Sequence, residues 1–286
     1  MRAYSAAFSR VDAQAPDWDA FTGKGGVLAL ADAAAAEGCM GPSREAYPAL
    51  LARYPLCYGF WKKWALQEWA QCSPLGDGRV PQPDRAAALA ASVAVWETGV
   101  QAVTHSVEHW VNYCEFLGAQ CGEDPARVRS ALLRGVACCA LDPKAGALWE
   151  ALLRVEAALG GAGLGALYAQ ALGSGAPYVP QLYAKFKAAA AALAPQQLLA
   201  EGEGEGDAAL AALAAAAQGG SEDSAQALRA HVLARREAAV TQSLQDIGAR
   251  SALEGVVGKR PYYHVKPLDA TIVQVRSRPH PHSPRL

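Results

Sequence analysis

Trp61-Lys62-Lys63-Trp64-Ala65-Leu66-Gln67-Glu68 sets two indoles three residues apart and a carboxylate four residues beyond the second. Positions i, i+3 and i+7 share one face of an α-helix, so this stretch predicts a helix with both rings on one side and the acid a turn further on. The template Trp-x-x-apolar-x-x-x-Glu returns at Trp149, Leu152 and Glu156, and a shorter form appears at Trp110, Tyr113 and Leu117. Trp18 with Phe21, and Tyr183 with Phe186, repeat the aromatic spacing alone. The tryptophans at 18, 61, 110 and 149 are separated by 43, 49 and 39 residues. Helix-pair repeats have periods of roughly 34 to 47 residues. One pair cannot bury its aromatic face alone, so neighbouring pairs must stack. The expected fold is all-α, an α-solenoid of antiparallel helix pairs in which these aromatics form the core.

Composition agrees with that reading. Of 286 residues, 52% are hydrophobic and 19% charged, enough to bury a sizeable core. Alanine and leucine dominate and no long apolar–polar alternation occurs, which argues against sheets. The net charge is −1, unevenly spread: residues 255–286 carry six Lys/Arg against Asp269 alone. Such a basic tail is too short to define a nucleic-acid-binding domain. The seven cysteines form no C-x-x-C pair and read as small buried hydrophobes in a reducing compartment. No signal-peptide run opens the chain, and no uncharged apolar span reaches the ~18 residues of a membrane helix. A soluble, intracellular protein is expected.

Taken in order, residues 1–16 read as a flexible lead-in and 17–194 as the solenoid. Gly23, Gly25 and Gly26 predict a break in the first helix, and Ser43 a cap for a helix through Arg53. Tyr54-Pro55 ends that helix, because a residue before proline resists the α conformation. A loop at 73–83 leads to a helix capped by Asp84 that carries Val93, Trp96, Val100 and Val103. Ser106 caps the helix of Trp110, and Pro125 suits the first turn of its partner. Residues 195–224, with Glu201 to Gly206 and Gly219-Gly220-Ser221, predict a low-complexity linker around an alanine helix. A charged helix and a basic connector follow over 225–268, then a disordered tail over 269–286.

Paired helices with Trp-x-x-aromatic-x-x-x-Glu in the first member resemble HAT (half-a-tetratricopeptide) repeats of RNA-processing proteins. Val95-Trp96-Glu97-Thr98-Gly99-Val100 is similar to the second-helix pattern of such repeats, except that Thr98 stands where arginine is usual. Three blocks narrow the resemblance: Arg53 to Trp64, Gly99-Val100-Gln101-Ala102, and Gly258 to Leu268 with its Lys-Arg-Pro-Tyr-Tyr-His-Val-Lys-Pro-Leu run. They resemble the pre-mRNA-processing factor thirty-nine family over about residues 17–268. That resemblance implies a nuclear, non-catalytic scaffold of the U1 small nuclear ribonucleoprotein, supporting 5′ splice-site recognition through contacts with its protein subunits. It implies no cofactor, at most indirect or weak RNA contact, and no membrane association. In the family further repeats follow the Lys-Arg-Pro-Tyr block and supply the self-association surface. Residues 269–286 resemble nothing there, so the chain reads as a fragment, an alternative product or a mispredicted gene end, and dimerisation is not expected. The alternative is a HAT or tetratricopeptide-like scaffold in another RNA-processing complex, for instance 3′-end processing.

Five further patterns could carry chemistry, and each also has a structural role. His105-Ser106-Val107-Glu108-His109 fits the H-x-x-E-H pattern of inverted zinc proteases. If Ser106 is the cap, however, His105 falls outside the helix, and no third ligand is evident. The tryptophan face could stack bases, but its recurrence points to core. Glu68 and Glu156 sit in different repeats and read as bonds to neighbouring helices rather than a catalytic pair. Gly23-Lys24-Gly25-Gly26 lacks Walker spacing and a preceding strand. Lys259, Arg260, Tyr262, Tyr263, His264 and Lys266 fit either a fixed connector between repeat blocks or a contact with RNA or an acidic partner.

Overall fold

The computed structural model describes residues 2–10, 17–71, 85–122, 124–199, 203, 207–219 and 221–257. All regular structure among these residues is α-helical, and the chain forms two compact units, Met1–Gly122 and Glu123–Leu286. The fold class is all-α, of the helix-pair solenoid type. None of the described helices is long and apolar enough to cross a membrane.

In the first unit, α1 (Arg2–Phe8) lies where a flexible lead-in was expected. Its Tyr4 is buried, stacks on Phe8 and donates to Glu45 at 3.0 Å, while Phe8 meets Phe21 edge-on. Two aromatics that find a wall outweigh a short segment's weak helical preference. Helix α2 (Trp18–Thr22) is capped by Asp17, whose carboxylate accepts the Ala20 N–H at 3.2 Å. The glycines then separate it from α3 (Val27–Ala36). Gly26 is required there, since a Cβ would sit 2.7 Å from the Ala20 carbonyl oxygen.

Helix α4 (Gly41–Arg53) begins two residues before Ser43, so Ser43 is not its cap. The Ser43 hydroxyl is buried and donates to the Ala31 carbonyl of α3 at 3.3 Å. Tyr54 ends α4, and α5 (Tyr58–Ala70) carries the Trp61 stretch. Helix α6 (Arg85–Ala102) packs along α5, and Ser92 there repeats the device of Ser43, donating to Ala65 at 2.8 Å. Val95 rather than Val93 joins Trp96 and Val100 in the core. Ser106 caps α7 (Val107–Gln120) by accepting the His109 N–H at 3.3 Å. The loop at 73–83 and Asp84 lie outside the described residues.

The second unit begins with α8 (Pro125–Cys139), capped by Asp124, followed by α9 (Gly146–Ala158), α10 (Leu164–Leu172) and α11 (Val179–Ala190). Within 195–224 the expected alanine helix is α13 (Ala208–Gln218), and together with a turn α12 (Pro195–Leu198) it buries Leu210 and Leu198. Both pack on α14 (Glu222–Val257), a helix of 36 residues that also covers α10 and α11. Arg236 of α14 is buried and binds Glu203 through two N–H groups, and Ser243 donates to the Leu172 carbonyl at 2.7 Å. A glycine–glutamate run is thus held at one point by charge, a feature invisible to composition. The basic block at 259–266 and the tail at 269–286 lie outside the described residues.

Candidate functional site

Trp61, Trp110 and Trp149 spend their indole N–H groups inside the fold, whereas the buried indole N–H of Trp96 has no partner among the described residues. Trp61 donates to the Pro55 carbonyl at 2.8 Å, and Trp110 donates to the Thr104 carbonyl at 2.7 Å. Both bonds reach back six residues to the turn before the helix, so the ring pins the helix entry. Trp149 departs from this pattern. It donates to the Tyr178 hydroxyl at 2.7 Å, and that hydroxyl donates in turn to the Ala140 carbonyl. All three rings are buried, with Trp149 wholly enclosed.

The carboxylates are also committed. Glu68 is gripped by Arg44 of α4 through Nε at 2.9 Å and Nη2 at 2.6 Å, and it accepts the Trp64 indole at 3.2 Å. Glu156 accepts from Arg129 of α8 and from the Gly163 N–H at 2.8 Å, fixing the turn before α10. In both cases an arginine of the helix one step earlier meets the signature acid, a bidentate or two-partner arrangement that neutralises a buried charge. Helix α7 inverts the order: Leu117 takes the acid's place, and Tyr113 instead donates to Glu97 of α6 at 2.6 Å. Each acid is satisfied within its own unit.

The remaining signature residues do not behave alike. Phe21, Trp96, Leu152 and Phe186 are buried, Phe186 against Tyr168. Trp18 is 37% exposed and meets Tyr54 and Phe60 edge-on, so it is not core. Tyr183 is half-buried under Lys187. Trp64 is half-buried too, stacked between Tyr47 and Trp61. At Trp18/Phe21 and Tyr183/Phe186 the i+3 aromatic reaches the core and the first aromatic does not. Several organising residues were not singled out from the sequence: Arg44, Arg129, Tyr178, and Asp32, which binds Tyr47, Lys63 and Gln67. None has a motif of its own.

The H-x-x-E-H residues are dispersed. His105 is exposed in the turn, Glu108 is exposed and accepts from Tyr58, and His109 is buried against Trp96 with ring centroids 5.1 Å apart. No three His, Cys, Asp or Glu side chains are grouped for a metal among the described residues. Neither ring nitrogen of His109 has a hydrogen-bond partner among the described residues, and burial pushes its pKa down to about 4.

Gly99 makes room for that ring, since a Cβ there would lie 2.4 Å from His109 Nε2 and 3.2 Å from Trp61 Cβ. Gly99→Ala gains up to ~1 kcal/mol of helix propensity but overpacks the site, so a net loss of about 1–2 kcal/mol is expected. In a His109→Ala background the same change should turn neutral or stabilising. Urea titration of the four proteins of this cycle measures the coupling, and additivity would refute the contact.

The family model described as the PRP39 N-terminal HAT repeat matches residues 9–188. A zebrafish (Danio rerio) protein named Pre-mRNA-processing factor 39 is 28% identical over 258 residues, covering 80% of this chain and 32% of its own length. A Xenopus laevis protein of the same name is 32% identical over 152 residues, covering 51% of this chain and 21% of its own. Pre-mRNA-processing factor 39-2 of Arabidopsis thaliana is 34% identical over 104 residues, which is 36% of this chain. The chain spans about a third or less of the length of these curated relatives.

Proposed function

Because this chain belongs to the PRP39 N-terminal HAT-repeat family, we propose that it is a non-catalytic scaffold in pre-mRNA splicing. It acts in the nucleus through contacts with protein subunits of the U1 small nuclear ribonucleoprotein, supporting 5′ splice-site recognition. The observation that carries the scaffold reading is the commitment of the signature's polar groups. The indoles of Trp61, Trp110 and Trp149 and the carboxylates of Glu68 and Glu156 are all bonded within the helix pairs. A catalytic site needs a titratable group held ready for substrate, and these groups instead hold helices together. What such a protein offers a partner is surface.

The test is affinity purification of the tagged full chain from nuclear extract, followed by sequencing of the co-purifying small RNA. Enrichment of U1 small nuclear RNA above a mock purification is expected. Recovery of 3′-end processing components in its place would move the chain to another RNA-processing scaffold. Recovery of no splicing component would refute the proposal.

A further inference from the structure

We propose that the groove between α4, α5 and α6 binds a short peptide segment of a partner protein, one that presents an apolar side chain next to a carboxylate. The groove has a volume of about 540 Å³, within the range of small-ligand sites, and is floored by Leu51, Val95, Trp61 and Trp64. It exists because one signature position is left uncovered. The i+3 residues Tyr113 and Leu152 of the other helices are 2% and 0% exposed, whereas Trp64 is only half-buried. Pro48 lines the same wall from inside α4. Proline has no N–H, so the Arg44 carbonyl one turn earlier receives no bond from residue 48.

Charge chooses the occupant. The charged side chains lining the groove are Arg44 and Glu68. The Glu68 side chain is 4% exposed, but that of Arg44 is 55% exposed. Arg44 grips Glu68 through Nε and Nη2, leaving the Nη1 donors unused among the described residues. The acid is therefore closed beneath the guanidinium, and the groove presents a cation edge to solvent. An arginine fork of this kind matches a carboxylate. Single-stranded RNA fits less well, because stacking sites for bases come with several cations tracking the phosphates. Here the lining supplies one arginine and no second cation to track a phosphate backbone.

The full chain is immobilised and selected against a random peptide library displayed on phage, and the enriched sequence is then synthesised with a fluorophore. An apolar residue beside Asp or Glu is the expected motif. Ala94→Glu and Thr98→Glu place bulk and negative charge on exposed positions of the groove rim. Each should weaken the peptide by about tenfold or more in fluorescence polarisation. Ala119→Glu, exposed on α7 and outside the groove lining, should leave binding unchanged. Two rim variants guard against misfolding of one, and their melting curves must overlay the parent's. Asn or Gln in place of the peptide's acid should lose binding similarly. The proposal is overturned by failure to enrich a motif, by enriched peptides without a carboxylate, or by binding indifferent to both rim variants. Displacement of the peptide by octauridylate would overturn it in favour of RNA. These outcomes are read on purified protein, so they stand or fall independently of the splicing assignment.

Discussion

Trp149→Ala should lower the stability of the second unit by about 4 kcal/mol, the range of a fully buried large-to-small change. Trp149 is wholly enclosed, so nothing flexible nearby can fill the space its ring leaves. The loss also breaks a relay. Tyr178 accepts from the Trp149 indole and donates to Ala140, tying the start of α9 to the entry of α11 and the end of α8. The two parts can be separated. Tyr178→Phe keeps the ring volume but strands a buried indole N–H and a carbonyl, at an expected cost of about 2 kcal/mol. Trp149→Phe, which keeps part of the volume, should fall between. Urea unfolding followed by circular dichroism measures all three. A Tyr178→Phe protein as stable as the parent would mean that the hydroxyl relay contributes nothing.

The contrast between Trp149 and Trp61 marks where sequence reading runs out. Recurrence at helical spacing was enough to predict helices, pairs and the burial of the ring, because spacing alone determines which residues share a face. The partner of the indole was not legible. Trp61 and Trp110 use a carbonyl six residues away, which local sequence contains, while Trp149 uses a hydroxyl 29 residues on. The same limit hid Arg44 and Arg129, ordinary helix arginines until stacking brings each onto a glutamate 24 or 27 residues away. Composition gave the alanine helix within 195–224 but not the pairing of Arg235 and Arg236 with Glu203. It misled at the amino terminus, where Tyr4 stacks on Phe8 and Phe8 meets Phe21. Trp18 failed for the opposite reason: it has the right spacing, yet it lies 37% exposed against the edges of Tyr54 and Phe60. Edges of a stack are the places where a repeat signature stops predicting burial.

Acid should weaken the first unit through His109. In the unfolded chain this imidazole takes up a proton near pH 6.5, whereas in the folded protein burial holds the pKa to about 4. Between these values the unfolded state binds more protons, so stability rises with pH across the window. The contribution is intact above about pH 6.5 and is lost as pH falls towards 4, a change of roughly 3 kcal/mol at 1.36 kcal/mol per pKa unit. Nothing in the site can offset the charge by geometry, since neither ring nitrogen has a partner among the described residues and Trp96 covers one face. His109→Leu removes the proton site and both unpaired nitrogens together. Its stability at pH 7.5 should match or exceed the parent's, because replacing an unsatisfied buried polar group by an apolar one relieves a desolvation cost. Urea titrations of both proteins at half-unit steps from pH 7.5 to 4.5 decide the matter. The parent should lose stability progressively relative to His109→Leu, and parallel curves would mean that His109 is protonated in the folded state or open to water.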